Sequence, residues 1–325
     1  MEQSVAVGLT AAVVAVADEV PLVRVVDSAQ TLPEGQRDLP ALPFGTLNPT
    51  ADKTLELALR QWVRGQTGLE LGYVEQLYTF GDRDRTAPIG MDGPRRVSVA
   101  YVAFMRQQKM EGDWRARWVD WHAFFPWEDW RAGRPRILNS IVEALTQWCD
   151  LAPDIAARDS RRHRVDITFG LGGVAWDEER VLERYELLYE AALVEEAHTD
   201  ARAKGKPIRQ VEVRVGRPMA LDHRRILACT LGRIRAKLKY RPVVFELLPS
   251  VFTLLRLQRL VEALAGIRLH KQNFRRLVIT GGLVVGTGEM DRQTGGRPAE
   301  LFRFRREVLR ERPAPGVGLP SLSSF

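Results

Sequence analysis

Cysteine is nearly absent. Only Cys149 and Cys229 occur in 325 residues, and neither belongs to a CxxC pair, which excludes a disulfide framework and makes a reducing cytoplasm the expected compartment. No secretory leader is expected either. The apolar run from Val5 to Ala17 follows Glu2 rather than a basic segment, and Asp18-Glu19 close it where a small-residue cleavage site would stand. The run is also shorter than the ~20 residues a membrane span needs, so a buried strand and no membrane partner are expected. Acidic residues are scarce in the rear. From Ala201 to Phe325 there are 26 Lys and Arg against 9 Asp and Glu, whereas the residues before them hold 22 against 32. The overall charge of +7 therefore hides an acidic front and a basic rear. Such a rear suits a polyanion, held in a salt-dependent way.

The chain does have length and apolar content. At 325 residues and 45% hydrophobic composition, two or more cored domains are expected. The stretch from Tyr240 to Phe304 reads as a short strand, two helices and a two-stranded wing. Thr253 precedes Leu254, Leu257, Leu260, Val261 and Leu264 at three- and four-residue steps, a capped amphipathic helix that Gly266 closes. A second helix from His270 to Thr280 would bury Phe274, Leu277 and Val278. It would turn His270, Lys271, Gln272, Arg275 and Arg276 outward before Gly281-Gly282 stops it. LVVGT and LFRF flank the turn-rich EMDRQTGGRPAE, a hairpin signal with Arg297 near its tip. A basic helix face alone is often just solvated. Helix, turn, helix and basic hairpin in one unit point instead to double-stranded DNA, with those five outward residues and Arg297 as candidate contacts.

In the front, Val5 to Ala17 and Pro21 to Val26 read as β runs joined by an acidic turn, followed by loop chemistry from Pro33 to Pro49. Lys53 to Gln66 reads as a helix with Leu55, Leu59, Trp62 and Val63 on one side. Leu71 to Phe80, Val97 to Met105 and Trp114 to Trp121 read as strands before the aromatic cluster WHAFFPWEDW. The order is that of a mixed sheet with a helix packed on it. In the middle, helices are expected at Ile137 to Cys149 and Asp177 to Arg202, and strands at Arg164 to Phe169 and Ile208 to Val215. Glu195 and His198, three apart, read as part of a solvated acidic face rather than as a metal pair. Asp222 then caps a helix running into the rear unit.

LPFGTLNPTADKTLELALRQWVRGQTGL, with the strands after it, resembles the loop-helix-loop box of a Nudix domain. That box holds a hard cation on clustered glutamates. With the frame set on Thr67-Gly68-Leu69, the box's Arg-Glu falls at Gln61-Trp62, its Glu-Glu at Gly65-Gln66 and its earlier Glu near Lys53. Glu56 is the one carboxylate left on the helix. Followed by LDHRRIL, YRPVVFELLP, LHKQNFRR and GGRPAELFRF, the whole resembles the Nudix-related transcriptional regulators, the NrtR family.

The resemblance implies an α+β chain. A Nudix-like mixed-sheet α/β/α domain without hydrolytic power would occupy 1–130, and an insertion or extension of unknown role 131–218. A linking helix would follow over 219–239, a winged helix-turn-helix domain over 240–312 and a disordered tail over 313–325. It further implies a homodimer on an inverted-repeat operator, repressing NAD metabolism genes, with no catalytic residue, metal or cofactor. ADP-ribose or a related metabolite would bind the front cleft, where Arg24, Phe44, Arg60 and Tyr101 are the candidate effector contacts. The alternative is a Nudix-type hydrolase of nucleoside diphosphate derivatives with an unconventional metal site. A front that only dimerises is a third reading.

Overall fold

A computed structural model describes residues 5–27, 38–82, 95–107, 115–206, 215–292, 298–311 and 316. Strand β1 (Val5–Ala17) is the spine of the front sheet. Along one edge it pairs in parallel with β5 (Arg95–Phe104), and β5 pairs antiparallel with β4 (Val74–Phe80). Its other edge is shared. Gly8–Thr10 pair with β3 (Phe44–Thr46), and Val14–Ala17 pair with β2 (Val20–Val26), which in turn carries β6 (Ala116–Asp120). The acidic turn between β1 and β2 is two residues long. Asp18 and Glu19 take φ 47° and 64°, the pair of left-handed residues a tight hairpin requires.

Alternation along β1 divides the core in two. Leu9, Ala11 and Val13 face helix α1 (Leu55–Thr67), which buries Ala58, Leu59 and Val63 against them. Ala12 and Val14 face the other way, into a core continuous with the aromatic cluster after β6, the middle helices, the linking helix and the rear unit. Thr54 caps α1 by accepting from the Leu57 N–H at 3.1 Å, and Gly68 ends it in the left-handed region at φ 71°.

The middle departs from expectation in two places. Arg164 to Phe169 is no strand but the end of α3 (Ile155–Phe169), which follows α2 (Ile137–Asp150). Val165, Thr168 and Phe169 are buried at helical spacing, Asp154 caps the start and Gly170 the end. The anticipated long helix is two, α4 (Val181–Glu190) and α5 (Glu195–Ala203), broken where Ala192 adopts φ 57°. The buried His198 ring meets the Ala192 carbonyl at 2.7 Å, so its role at that break is structural. The strand expected from Ile208 to Val215 lies outside the described residues save Val215.

The linking helix is α6 (His223–Tyr240). Asp222 stands at its N-cap, but its carboxylate takes Arg225 at 3.2 Å instead of a backbone N–H. In the rear, Val243–Leu247 is a 3₁₀ turn rather than the expected strand. The short strand comes later, as β7 (Phe252–Thr253). Helices α7 (Leu254–Ala265) and α8 (Lys271–Thr280) follow, then β8 (Val284–Asp291) and β9 (Ala299–Phe304), in a three-stranded sheet ordered β7-β9-β8. A last turn, α9 (Val308–Glu311), closes the described part. The tail expected over 313–325 lies outside it, Gly316 apart. No helix of the described residues is long and apolar enough to cross a membrane.

Candidate nucleic-acid interface and ligand cleft

The rear unit builds its outer face from a short helix held by few contacts. Thr253 Oγ1 accepts from the Arg256 N–H at 3.2 Å, Leu257, Leu260, Val261 and Leu264 are buried, and Gly266 ends α7 at φ 73°. Phe274 and Val278 fasten α8 to this base. Leu277, expected in the same stripe, is 41% exposed, because a helix of this length seated on one i, i+4 pair leaves its flanks in water. His270, Lys271, Gln272, Arg275 and Arg276 all stand exposed on α8 or at its N-cap. Asn273, also exposed there, was not picked out in the sequence. Among the described residues none of Lys271, Arg275 and Arg276 has an ion-pair partner, although many other arginines of the chain do. The wing adds exposed Arg292 and Arg303, which no motif marked. Arg297 lies outside the described residues.

A cleft opens between the N-terminal half of β1, β3, the start of β5 and the N-terminus of α6. Phe44, Thr10, Ser98, Arg96, Asp222 and His223 are on its walls. The Thr10 and Ser98 hydroxyls are 3.1 Å apart, and the Phe44 and His223 rings meet edge to face at 5.0 Å. His223 Nδ1 accepts the Leu42 N–H at 3.1 Å, so the neutral ring carries its proton on Nε2. Burial pushes the His223 pKa down from 6.5 to about 3.

That shift has a sign. The unfolded chain takes up a proton below pH 6.5 and the fold refuses it until about 3, so stability is lost as pH falls through this window. The expected slope from His223 is about 1.4 kcal/mol per pH unit. Denaturant titrations at pH 7, 6 and 5 should show it, with His223→Phe flattening the profile; equal slopes in both proteins would refute the assignment.

Of the four effector candidates, Phe44 alone lines this cleft. Arg60 is committed to Glu56 at 2.8 Å and to the Leu71 and Gly72 carbonyls. Tyr101 is 5% exposed, packed on the α1 face. Arg24 is 4% exposed on that same face, across the sheet from the cleft. Sequence reasoning missed His223, whose signal was its place in LDHRRIL at the start of the linking helix.

The side chains of α1 hold β3 in place. Gln66 accepts the Phe44 N–H at 3.0 Å and donates to the Phe44 carbonyl at 2.7 Å, and Trp62 Nε1 donates to the Thr46 carbonyl at 3.2 Å. A Cβ on Gly45 would lie 2.0 Å from the Trp62 ring, so only glycine fits beneath it. Trp62 and Gln66 of α1 thus clasp β3. Among the described residues no group of three or more His, Cys, Asp or Glu side chains is placed to hold a metal ion.

A buried ionic joint connects cleft and rear unit. Glu128, after β6, is wholly buried and receives Arg184 of α4 at 2.6 and 3.0 Å and Arg235 of α6 at 2.5 Å. Arg235 also donates to the Glu128 carbonyl at 3.0 Å, and the Trp130 N–H to the Gly266 carbonyl at the end of α7 at 2.7 Å. Burial pushes the Glu128 carboxyl pKa up, and the two guanidinium groups outweigh it, holding the acid below its usual range. The helix that starts at the cleft thus passes through a fixed node before it reaches the winged unit. Glu19, from the β1–β2 turn, adds contacts to Arg259 at 3.3 Å and Arg268 at 3.4 Å.

Comparison with known proteins agrees with this division. Residues 244–304 match the NrtR DNA-binding winged helix domain. The ADPR responsive transcriptional repressor NtrR of Acinetobacter baylyi is 37% identical over 86 residues, 26% of this chain and 34% of that one. The match thus spans about a third of the relative's length. The structure of Shewanella oneidensis NrtR complexed with a 27mer DNA superposes with a TM-score of 0.54 at 20% identity, covering 94% of this chain and 95% of that one. A MutT/nudix family protein from Enterococcus faecalis gives 0.53 at 14% identity, over 94% and 88%. These two likenesses are of fold. The rear unit of this chain accordingly matches the NrtR winged helix domain, and a long helix joins it to a sheet domain of Nudix-like fold.

Proposed function

We propose that the protein is a ligand-responsive DNA-binding transcriptional regulator, a cytoplasmic repressor of NAD metabolism genes. In this reading its Nudix-like domain senses ADP-ribose or a related metabolite without hydrolysing it. The observation that carries the reading is the unpaired basic face of α8 in a domain that matches the NrtR winged helix. The Acinetobacter relative is named as an ADPR-responsive repressor, which supports the choice of effector. Lys271, Arg275 and Arg276 hold phosphates, and Gln272 and His270 reach base edges. Arg297 of the wing enters the minor groove. Two copies engage an inverted repeat, as the two-fold symmetry of such operators requires.

The effector occupies the cleft beside Phe44, with its acceptor atoms toward His223 Nε2 and Arg96. Arg60 and Tyr101, held elsewhere, leave the effector set. The start of α6 forms one wall, so a ligand that displaces Asp222 or His223 tilts a helix whose far half is gripped at Glu128 and leads into the winged unit. Proposed domain limits are 1–130, 131–218, 219–239 and 240–312. The second segment acts as a brace, since its α4 supplies Arg184 to the joint.

The test is retention of the chain's own upstream DNA fragment in a mobility-shift or anisotropy assay, with release on adding ADP-ribose. Release by ADP-ribose that persists in His223→Phe would move the effector out of the cleft. Failure to select any fragment over bulk DNA would end the reading. Sustained hydrolysis of ADP-ribose with Mg²⁺ or Mn²⁺, abolished in Glu56→Gln, would favour the hydrolase instead.

A further inference from the structure

The β1–β2 hairpin carries a residue that its turn alone would not select. Asp18 and Glu19 both stand at positive φ, 47° and 64°, where a two-residue turn ordinarily takes asparagine or aspartate followed by glycine. Aspartate suits the first place, but a glutamate Cβ in the second is strained. What Glu19 gains lies across the boundary between the two units. One carboxylate oxygen meets Arg259 of α7 at 3.3 Å, and the other meets Arg268 of the α7–α8 turn at 3.4 Å. Arg131 also donates to the Glu19 carbonyl, so the hairpin is held from the segment after β6 as well. Both arginines continue to Glu262, at 3.2 Å from Arg259 and 2.7 Å from Arg268, and this buried carboxylate accepts the Leu269 N–H at 3.0 Å. Leu269 directly precedes His270, the N-cap of α8. The Glu19 pairs are about half exposed, and such pairs add little to stability, no more than the left-handed glutamate costs. Stability therefore does not account for a glutamate at this turn.

We propose that Glu19 is a positioning residue for DNA binding: its carboxylate latches the α7–α8 turn to the front sheet and so fixes the direction in which α8 presents its basic face. The proposal rests on the reading of the rear unit as a DNA-binding one. Freed from the latch, the turn must be ordered by the DNA itself, and that ordering is subtracted from affinity. Plain electrostatics gives the opposite sign. Removing an acidic side chain from beside basic ones raises the attraction for a polyanion, so a loss of affinity on neutralising Glu19 separates positioning from charge.

The experiment takes the full chain as wild type, Glu19→Gln and Glu19→Gly, and reads affinity for the upstream DNA fragment, thermal midpoint and amide hydrogen exchange. Both variants are expected to bind the fragment about three- to tenfold more weakly, with the salt slope unchanged. Glu19→Gly restores the residue the turn prefers, so its midpoint should equal or exceed that of wild type while its affinity falls. Exchange at Leu269 and Phe274, whose N–H groups are bonded to Glu262 and to the His270 carbonyl, should quicken severalfold in both variants, with Val63 of α1 unchanged. Exchange needs no DNA and judges the latch by itself. If wild type selects no fragment while exchange quickens in the variants, the DNA reading fails and the latch stands. Unchanged exchange at Leu269 and Phe274, or an affinity equal to or above that of wild type in both variants, would overturn the proposal.

Discussion

Glu128→Ala is expected to destabilise the protein by about 3–5 kcal/mol, the usual result of deleting one member of a buried, hydrogen-bonded ion pair. The loss comes less from forgone attraction than from leaving the Arg184 and Arg235 guanidinium groups buried with one carboxylate fewer than they need. Urea unfolding at pH 7 measures it, and a change under 1 kcal/mol would show that the node does not bear on stability. Its pH dependence has a definite sense. Because the carboxyl titrates lower in the fold than in the unfolded chain, its contribution is complete above the ordinary carboxylate value near 4.5 and declines as acid passes through the lower folded value. Gly266→Ala should act on the same node. Its Cβ would come 2.4 Å from the Glu128 carbonyl oxygen and 2.7 Å from Arg235 Nη2, at a φ of 73° that alanine resists.

Replacing Arg275 and Arg276 together by alanine should weaken operator binding on the order of 10²-fold at physiological salt. It should also lower the slope of log affinity against log salt by about 2, since each phosphate contact releases about one counterion. Both side chains are exposed on α8 and neither supports the core, so the fold should be unaffected. Gln272→Ala should behave differently, costing roughly 1–3 kcal/mol of discrimination between operator and altered operator while leaving the salt slope alone. Equal losses on specific and random DNA for Gln272→Ala would reassign it to the backbone.

Elements with sharp local signals were legible in the sequence. Thr253 and Gly266 bracket α7 and the apolar run from Val5 to Ala17 is a buried strand, as anticipated. The errors fell where tertiary contacts decide. VDITF alternates like a strand, yet it is the end of a helix because Asp154 and Gly170 set the limits of α3. The apolar spacing from Val181 onward ignores the break at Ala192, which His198 covers from the next helix. Leu277 looks like core in any periodic count, and only the small footprint of α8 exposes it. The candidate DNA face was readable because it needs only spacing and charge on one helix. The cleft was not, since Thr10, Phe44, Ser98 and His223 come from four distant segments and meet only through the pairing of β1 with β3 and β5 and the docking of α6.

The clasp on β3 ties the shape of the cleft to two side chains of α1. Glutamate at positions 62 and 66 would remove the donors Trp62 Nε1 and Gln66 Nε2 and release the strand that carries Phe44, a wall of the cleft. Gly45 would be left with a void above it in place of an indole. A change at the outer face of α1 would thus be felt across the sheet edge, in the cleft.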